Sequence, residues 1–317
     1  MRTPSALACR VVILTLSAGL ALLTLSGCSL RLLAVDQLGN ALAGGGATFA
    51  GDDDPELVGA AVPFSLKLME SLLAESPEHQ GLLLAASRGF TQYAFAFVQE
   101  EAEEREATGF AESQALSARA RRLYLRARGL GLRGLEARHP GFRARLAAAP
   151  KRAVEVMAKS DVPLLYWSAV SWAGAIALGK DDPRLVGDLP QVEVLIDRAL
   201  ALDEAWDQGA IHSFLIAFEM GRATGEGDPA ARARQHFERA VALSSGRAAA
   251  PFVGLAESVS VVEGDRARFE ELLRRALAID ADLDPPTRLA TLVLQRRACW
   301  LLARADKLFL PSLDSNP

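Results

Sequence analysis

Fifteen consecutive residues without a charge, Leu164–Leu178 (LLYWSAVSWAGAIAL), constrain this chain more than any other feature. Asp161-Val162-Pro163 precedes the run and Gly179-Lys180-Asp181 follows it. Asp and then Pro at a first turn start a helix, and Gly ends one. The resulting helix is too short to cross a bilayer, which needs ~20 residues. A helix that is apolar on every side must then be covered on every side by the rest of the protein.

The remaining sequence reads as material for those covering elements. Ala and Leu dominate and aromatics are 6% of the chain, a balance that favours helices over sheets. No segment alternates as a strand does. Asp52-Asp53-Asp54-Pro55 opens a helix in which Val58, Val62, Leu66, Met69 and Leu73 recur every three to four positions. The three acids read as a cap, because their spacing lacks the later ligands of a calcium loop. Ser76-Pro77 stops that helix. A second helix is expected over 78–106, ending in an acidic run, and a third over 112–138 with an Arg-rich outer face. Both charge runs read as solvated faces, with their opposition in space as the alternative. A break at 140–150 and a short helix over 151–159 lead into the uncharged run. Further helices are expected at 190–202, 204–224, 228–243, 248–263, 265–279 and 285–310.

Three helix ends share one pattern: Ala199–Asp203 (ALALD), Ala240–Ser244 (AVALS) and Ala276–Asp280 (ALAID), with Ile196, Phe237 and Leu273 three residues before each. A weaker copy sets Met69 before Leu72–Ser76. Tetratricopeptide repeats have a period of about 34 and a large residue followed by Ala at this place, where Ala permits close helix approach. The spacings of 41 and 36 here imply insertions. The expectation is an all-α fold over 52–310, a tetratricopeptide-like helical-repeat array or α-α superhelix. The alternative is a generic helical bundle in which Ala-x-Ala recurs because the sequence is Ala-rich. Repeat arrays curve and bind on the concave surface.

At the N-terminus, Arg2 and Arg10 flank an uncharged core, Val11–Leu23, and Leu25-Ser26-Gly27-Cys28 follows as a bacterial lipobox. This predicts a lipoprotein signal peptide over 1–27, lipidation of Cys28, and a flexible tether over 28–51 containing Gly44-Gly45-Gly46. An ordinary signal peptide with a chance Cys is the alternative. Ser29, in place of Asp, favours the outer membrane in the common diderm sorting pattern, so the expected location is the periplasm, lipid-anchored. Cys9 leaves with the signal and Cys28 carries lipid, so Cys299 has no disulfide partner and stability must come from a packed core. The formal charge of −4 leaves no basic excess for a phosphate backbone, so nucleic acid is not an expected partner.

The motifs that suggest chemistry are weak. Gly129-x-Gly131-x-x-Gly134 matches a dinucleotide fingerprint, but it lies inside a helical, Arg-rich segment and follows no strand. Close helix packing or a helix break explains it better. His79, His139, His212 and His236 have no metal-ligand spacing, so neither metal nor cofactor is implied. No nucleophile motif appears, and no catalytic residue is expected. The constellation worth following is aromatic: Phe90, Tyr93 and Phe97; Tyr166, Trp167, Ser171 and Trp172; then Trp206, His212 and Phe214. These residues either line an apolar small-molecule cavity with a few polar handles or pack as core. The candidate ligand-binding set is Phe90, Tyr93, Phe97, Tyr166, Trp167, Ser171, Trp172 and His212.

Three stretches carry a family resemblance: Pro55–Glu104, Asp161–Leu178 and Gly209–Glu219 (GAIHSFLIAFE). With the lipobox they resemble the T component associated with TRAP transporters, often written TatT, over residues 52–305. The resemblance implies a periplasmic lipoprotein of degenerate tetratricopeptide-like helices, assembled as a homotrimer with cavities or a pore. It implies docking to the periplasmic solute-binding P subunit and a small hydrophobic or organic-acid ligand. Phe90–Phe97 and Tyr166–Trp172 fall in matching regions and inherit the implied ligand-lining role. The degenerate repeats leave repeat number and cavity shape open. The competing reading is a tetratricopeptide scaffold lipoprotein for envelope assembly.

Overall fold

The computed structural model describes residues 36–309 apart from Ala223, and among them every regular element is helical. The signal segment and Cys28 lie outside the described residues. Helices α1 (36–44) and α2 (Gly46–Ala50) occupy much of the stretch expected to be a flexible tether. Long-range contacts hold them. Ser76 Oγ donates to Asp36 at 2.9 Å, Leu42 packs on the cluster around Leu66 and Leu83, and Arg288 donates to the Gly51 carbonyl at 3.1 Å.

Asp54 accepts from the Leu57 N–H at 2.9 Å and Pro55 follows, so α3 (Pro55–Glu75) begins where the cap requires. His79 Nδ1 accepts from the Leu82 N–H to start α4 (Gln80–Tyr93). The chain then passes through a π-helical turn, Ala94–Gln99, into α5 (Glu100–Arg105). Helix α6 (Phe110–Arg138) is the longest, at 29 residues. Helix α7 (Phe142–Ala148) fills the expected break, and α8 (Pro150–Ala153) is a single turn where a longer helix was expected. The uncharged run forms α9 (Val162–Ala177), followed by α10 (Pro183–Val186) and α11 (Leu189–Leu202). The helix expected over 204–224 is confined to α12 (Ala210–Glu219). Then come α13 (Pro229–Leu243), α14 (Ala250–Leu255), a second π-helical turn Ala256–Ser260, α15 (Val261–Glu263), α16 (Arg266–Leu277), α17 (Arg288–Ala303) and α18 (Ala305–Leu308).

Helix α9 is enclosed as its composition demands: α4, α6 and α11 pack around it, and Val162, Leu165, Ala169 and Ala175 have no exposed surface. Beyond α11 the helices pack in chain order, α12 on α13 and α14, α14 on α16, and α16 on α17. The recurring small residues Ala199, Ala240 and Ala276 are fully buried. Gly209, at φ +85°, approaches so closely that an added Cβ would lie 3.4 Å from the Ala240 Cα.

The glycine motif is a packing device between α6 and α9. A Cβ on Gly131 would sit 2.4 Å from Ser168 Oγ and 3.0 Å from Ser87 Oγ, and one on Gly134 would sit 2.7 Å from Leu164. Gly129 faces open space. Reciprocally, Gly174 of α9 lies against the Tyr124 ring of α6, with a would-be Cβ 2.9 Å away. Gly131→Ala is therefore expected to cost about 1–3 kcal/mol by overpacking. Gly129→Ala gains about 0.5–1 kcal/mol from helix propensity alone. Urea denaturation of the two variants measures the contrast.

Candidate functional site

The structure brings two of the candidate ligand residues together and adds partners from farther along the chain. Tyr166 meets Trp167 edge-on at 5.0 Å, packs on Trp206 at 4.8 Å and contacts Phe214 at 6.4 Å between ring centroids. Phe214 stacks in turn on Phe218 at 5.2 Å. The turn that delivers Trp206 has an unusual backbone. Asp207 (φ 48°, ψ 53°), Gln208 (φ 54°, ψ 32°) and Gly209 (φ 85°, ψ 25°) are consecutive left-handed residues. The left-handed conformation costs a non-glycine residue roughly 1–2 kcal/mol. The turn is pinned where Gln208 Nε2 donates to Asp284 Oδ2 at 2.9 Å. Burial, with Asp207 adding to it, pushes the Tyr166 phenol far above its ordinary value, so the group stays a protonated donor. The Arg88 guanidinium lies 5.9 Å from the Trp167 ring centroid.

The other candidates lie elsewhere. Ser171 spends its hydroxyl on its own helix, donating to the Trp167 carbonyl at 2.7 Å and the Ser168 carbonyl at 3.1 Å. Trp172 donates to Asp188 at 3.2 Å beneath the Arg128 guanidinium. Phe90 is buried under Arg126, and Tyr93 packs on Phe97, which fills the space beside Gly59. His212 Nδ1 faces His236 Nδ1 at 2.8 Å, and its Nε2 lies 3.4 Å from Glu204. At that separation one imidazole donates and the other accepts; burial holds both below the ordinary histidine value. No group of three or more His, Cys, Asp or Glu side chains converges as a metal-ligand set among the described residues. Two clefts, of about 200 and 380 Å³, are lined by residues of α13 to α16 and their turns, and none of the eight candidates is among them.

Sequence reasoning missed a second assembly, an ionic clamp between the two π-helical turns. Arg297 of α17 donates to Glu103 at 2.8 Å and to both oxygens of Glu257 at 2.7 and 2.8 Å. Arg296 donates to Glu100 and to the Ala96 carbonyl, both at 3.2 Å. Glu100 directly follows the first π turn, and Glu257 lies within the second. Such turns add a residue to the helical repeat and re-aim the side chains beyond them. Glu100 is only 2% exposed. Burial pushes its carboxyl up to about 7, against the pull of Arg297 and Arg296. Opposed charges keep Arg297 protonated despite its own burial, and Phe95 and Trp300 flank it. One signal was available: Glu100 continues the Phe90-Tyr93-Phe97 spacing, a carboxylate on an apolar stripe.

A sequence model of the TRAP transporter T-component family matches residues 51–309, which hold α3 to α18 and both assemblies. The chain belongs to this family. An uncharacterized protein of Treponema pallidum (strain Nichols) is similar to this T component, 31% identical over 303 residues that cover 90% of this chain and 94% of that protein.

The buried Glu100 makes the stability of this T component depend on pH. A carboxyl held above its unfolded value makes the folded state bind more protons, so its stability contribution is full below about 4.5 and is lost as pH rises through about 7. Urea midpoints at pH 5 and pH 8 should show wild type losing up to roughly 3 kcal/mol relative to Glu100→Gln over that interval. A flat difference would reject the assignment. Separately, Asp207→Gly relieves a left-handed residue and is expected to raise stability by about 1 kcal/mol in thermal unfolding.

Proposed function

We propose that this T component is a non-catalytic accessory of a TRAP-type transporter, one that binds a small hydrophobic or organic-acid solute and docks the solute-binding P subunit. The observation that carries the reading is the Tyr166–Trp167–Trp206 cluster delivered by a left-handed turn. Backbone strain concentrates where geometry serves a ligand, and large rings with a phenol and a nearby guanidinium offer an apolar body with polar ends. The solute's apolar part would lie against Trp167 and Trp206, and its carboxylate would face Arg88.

The lipobox ending at Cys28 supports a periplasmic protein anchored by lipid, and Ser29 supports the outer membrane. The buried Ala199, Ala240 and Ala276 support a tetratricopeptide-like arrangement of the later helices. A homotrimer would cover the outer face of α3, where Leu57 and Phe64, seven residues apart on one side of the helix, are 58% and 74% exposed.

Native mass spectrometry of the protein with its cognate P subunit tests the docking, and tryptophan fluorescence titration with candidate organic acids tests the solute site. Tyr166→Phe and Trp206→Leu are expected to weaken solute binding about tenfold, the loss that results when a buried polar or aromatic contact is removed, and to leave the complex intact. Unchanged affinity in both variants, or failure to form any complex, overturns the proposal.

A further inference from the structure

We propose that the groove between the α13–α14 turn and the α16–α17 turn docks an acidic, apolar-centred segment of a partner protein. The surface is separate from the aromatic cluster, and the inference stands independently of the solute reading. The groove offers about 380 Å³ of space, with Phe252 and Ile279 as its floor, Leu283 as an edge and Arg247 and Arg275 on its rim. Leu283 is 71% exposed, a large apolar side chain left uncovered.

The two arginines set this groove apart. Along α16, Arg266 and Arg274 pair with Glu270, and Arg268 pairs with Glu271. On α13, Arg234 pairs with Glu263 and Arg239 with Glu204. Arg275 instead lies over the Phe252 ring at 4.6 Å, and neither it nor Arg247 has a carboxylate partner among the described residues. Two free guanidiniums at one groove stand out in a chain of net charge −4.

Helix capping does not explain them. Gln295 Nε2 reaches the Ala276 and Leu277 carbonyls that end α16, at 3.2 and 3.3 Å, and the Ile279 carbonyl just beyond it, at 2.7 Å. The end of α13 closes through its own backbone, with the Gly246 N–H donating to the Val241 carbonyl at 2.8 Å and Gly246 at φ +70°. Arg247 and Arg275 therefore keep their side-chain donors free of the described residues. Asp280, a carboxylate in the lining, is engaged by the Asp282 N–H at 2.9 Å.

A guanidinium fork pairs two N–H groups with one carboxylate, so two forks flanking an apolar floor match an extended segment with an acid at each end and an apolar residue between. The groove is shallow and open, which suits an extended peptide better than a small solute, since solute pockets enclose most of their ligand.

The test uses the full chain and a fluorescein-labelled peptide, DELFED, with its uncharged counterpart NQLFQN, read by anisotropy at low and high salt. DELFED is expected to bind saturably and to weaken with salt, and NQLFQN to bind about tenfold less tightly. Arg247→Ala with Arg275→Ala should cost DELFED about tenfold, and Asp280→Asn, which keeps the turn's acceptor and removes a like charge, should gain about threefold. Both arginines sit on the rim of the groove, so the double variant is expected to keep the wild-type circular dichroism spectrum. Equal binding of the two peptides, or unchanged affinity in the double variant, overturns the proposal. So does much tighter DELFED binding by the full chain carrying Leu313→Ser and Asp314→Asn, because the groove would then belong to the chain's own tail.

Discussion

The architecture depends on the close contact between α6 and α9. An uncharged helix has no face to offer water, so each side must find a neighbour, and the nearest and longest neighbour is α6. Gly131 and Gly134 remove the side chains that would hold the two backbones apart, and Ser168 and Leu164 occupy the vacated space. Gly174 does the same in the opposite direction for Tyr124. The contact therefore interlocks from both sides, and α4 and α11 close around it.

Much of this was legible in the sequence because it rests on local chemistry. Asp54-Pro55, Asp228-Pro229 and Asp265 start helices through side-chain oxygens that accept from nearby backbone N–H groups, and such signals need only a few neighbouring residues. The enclosure of α9 followed from its composition alone. The features that escaped are set by distant partners. Residues 36–50 read as tether because glycines weaken a helix, yet Ser76, Leu42's neighbours and Arg288 hold them. The break expected at 140–150 became α7 because Gly141, at φ +78°, lets the chain turn straight into a new helix, with Phe142 and Leu146 buried.

The candidate site was legible in pieces. Tyr166 and Trp167 were found from their place on the uncharged helix, and Trp206 and Phe214 were noted beside them. That they form one cluster required the left-handed turn at Asp207 and Gln208, residues whose side chains give little notice of such a backbone. Ser171 resembled a polar handle but bonds within its helix. The charged residues at Glu100 and Glu103 were read as solvated, since most charge runs are, and only their meeting with Arg296 and Arg297 across 194–196 residues of chain reveals the clamp.

That meeting changes how the molecule can come apart. A linear stack of helices usually frays from an end, each unit leaving when its one interface melts. Here the last long helix is bolted to the first layers as well as to its chain neighbour, so releasing it strands Glu100 and Glu257 without their counter-charges. Terminal peeling is thereby coupled to global loss of structure, and the protein should survive or collapse as one cooperative body, with slow assembly as the corollary of so distant a closure.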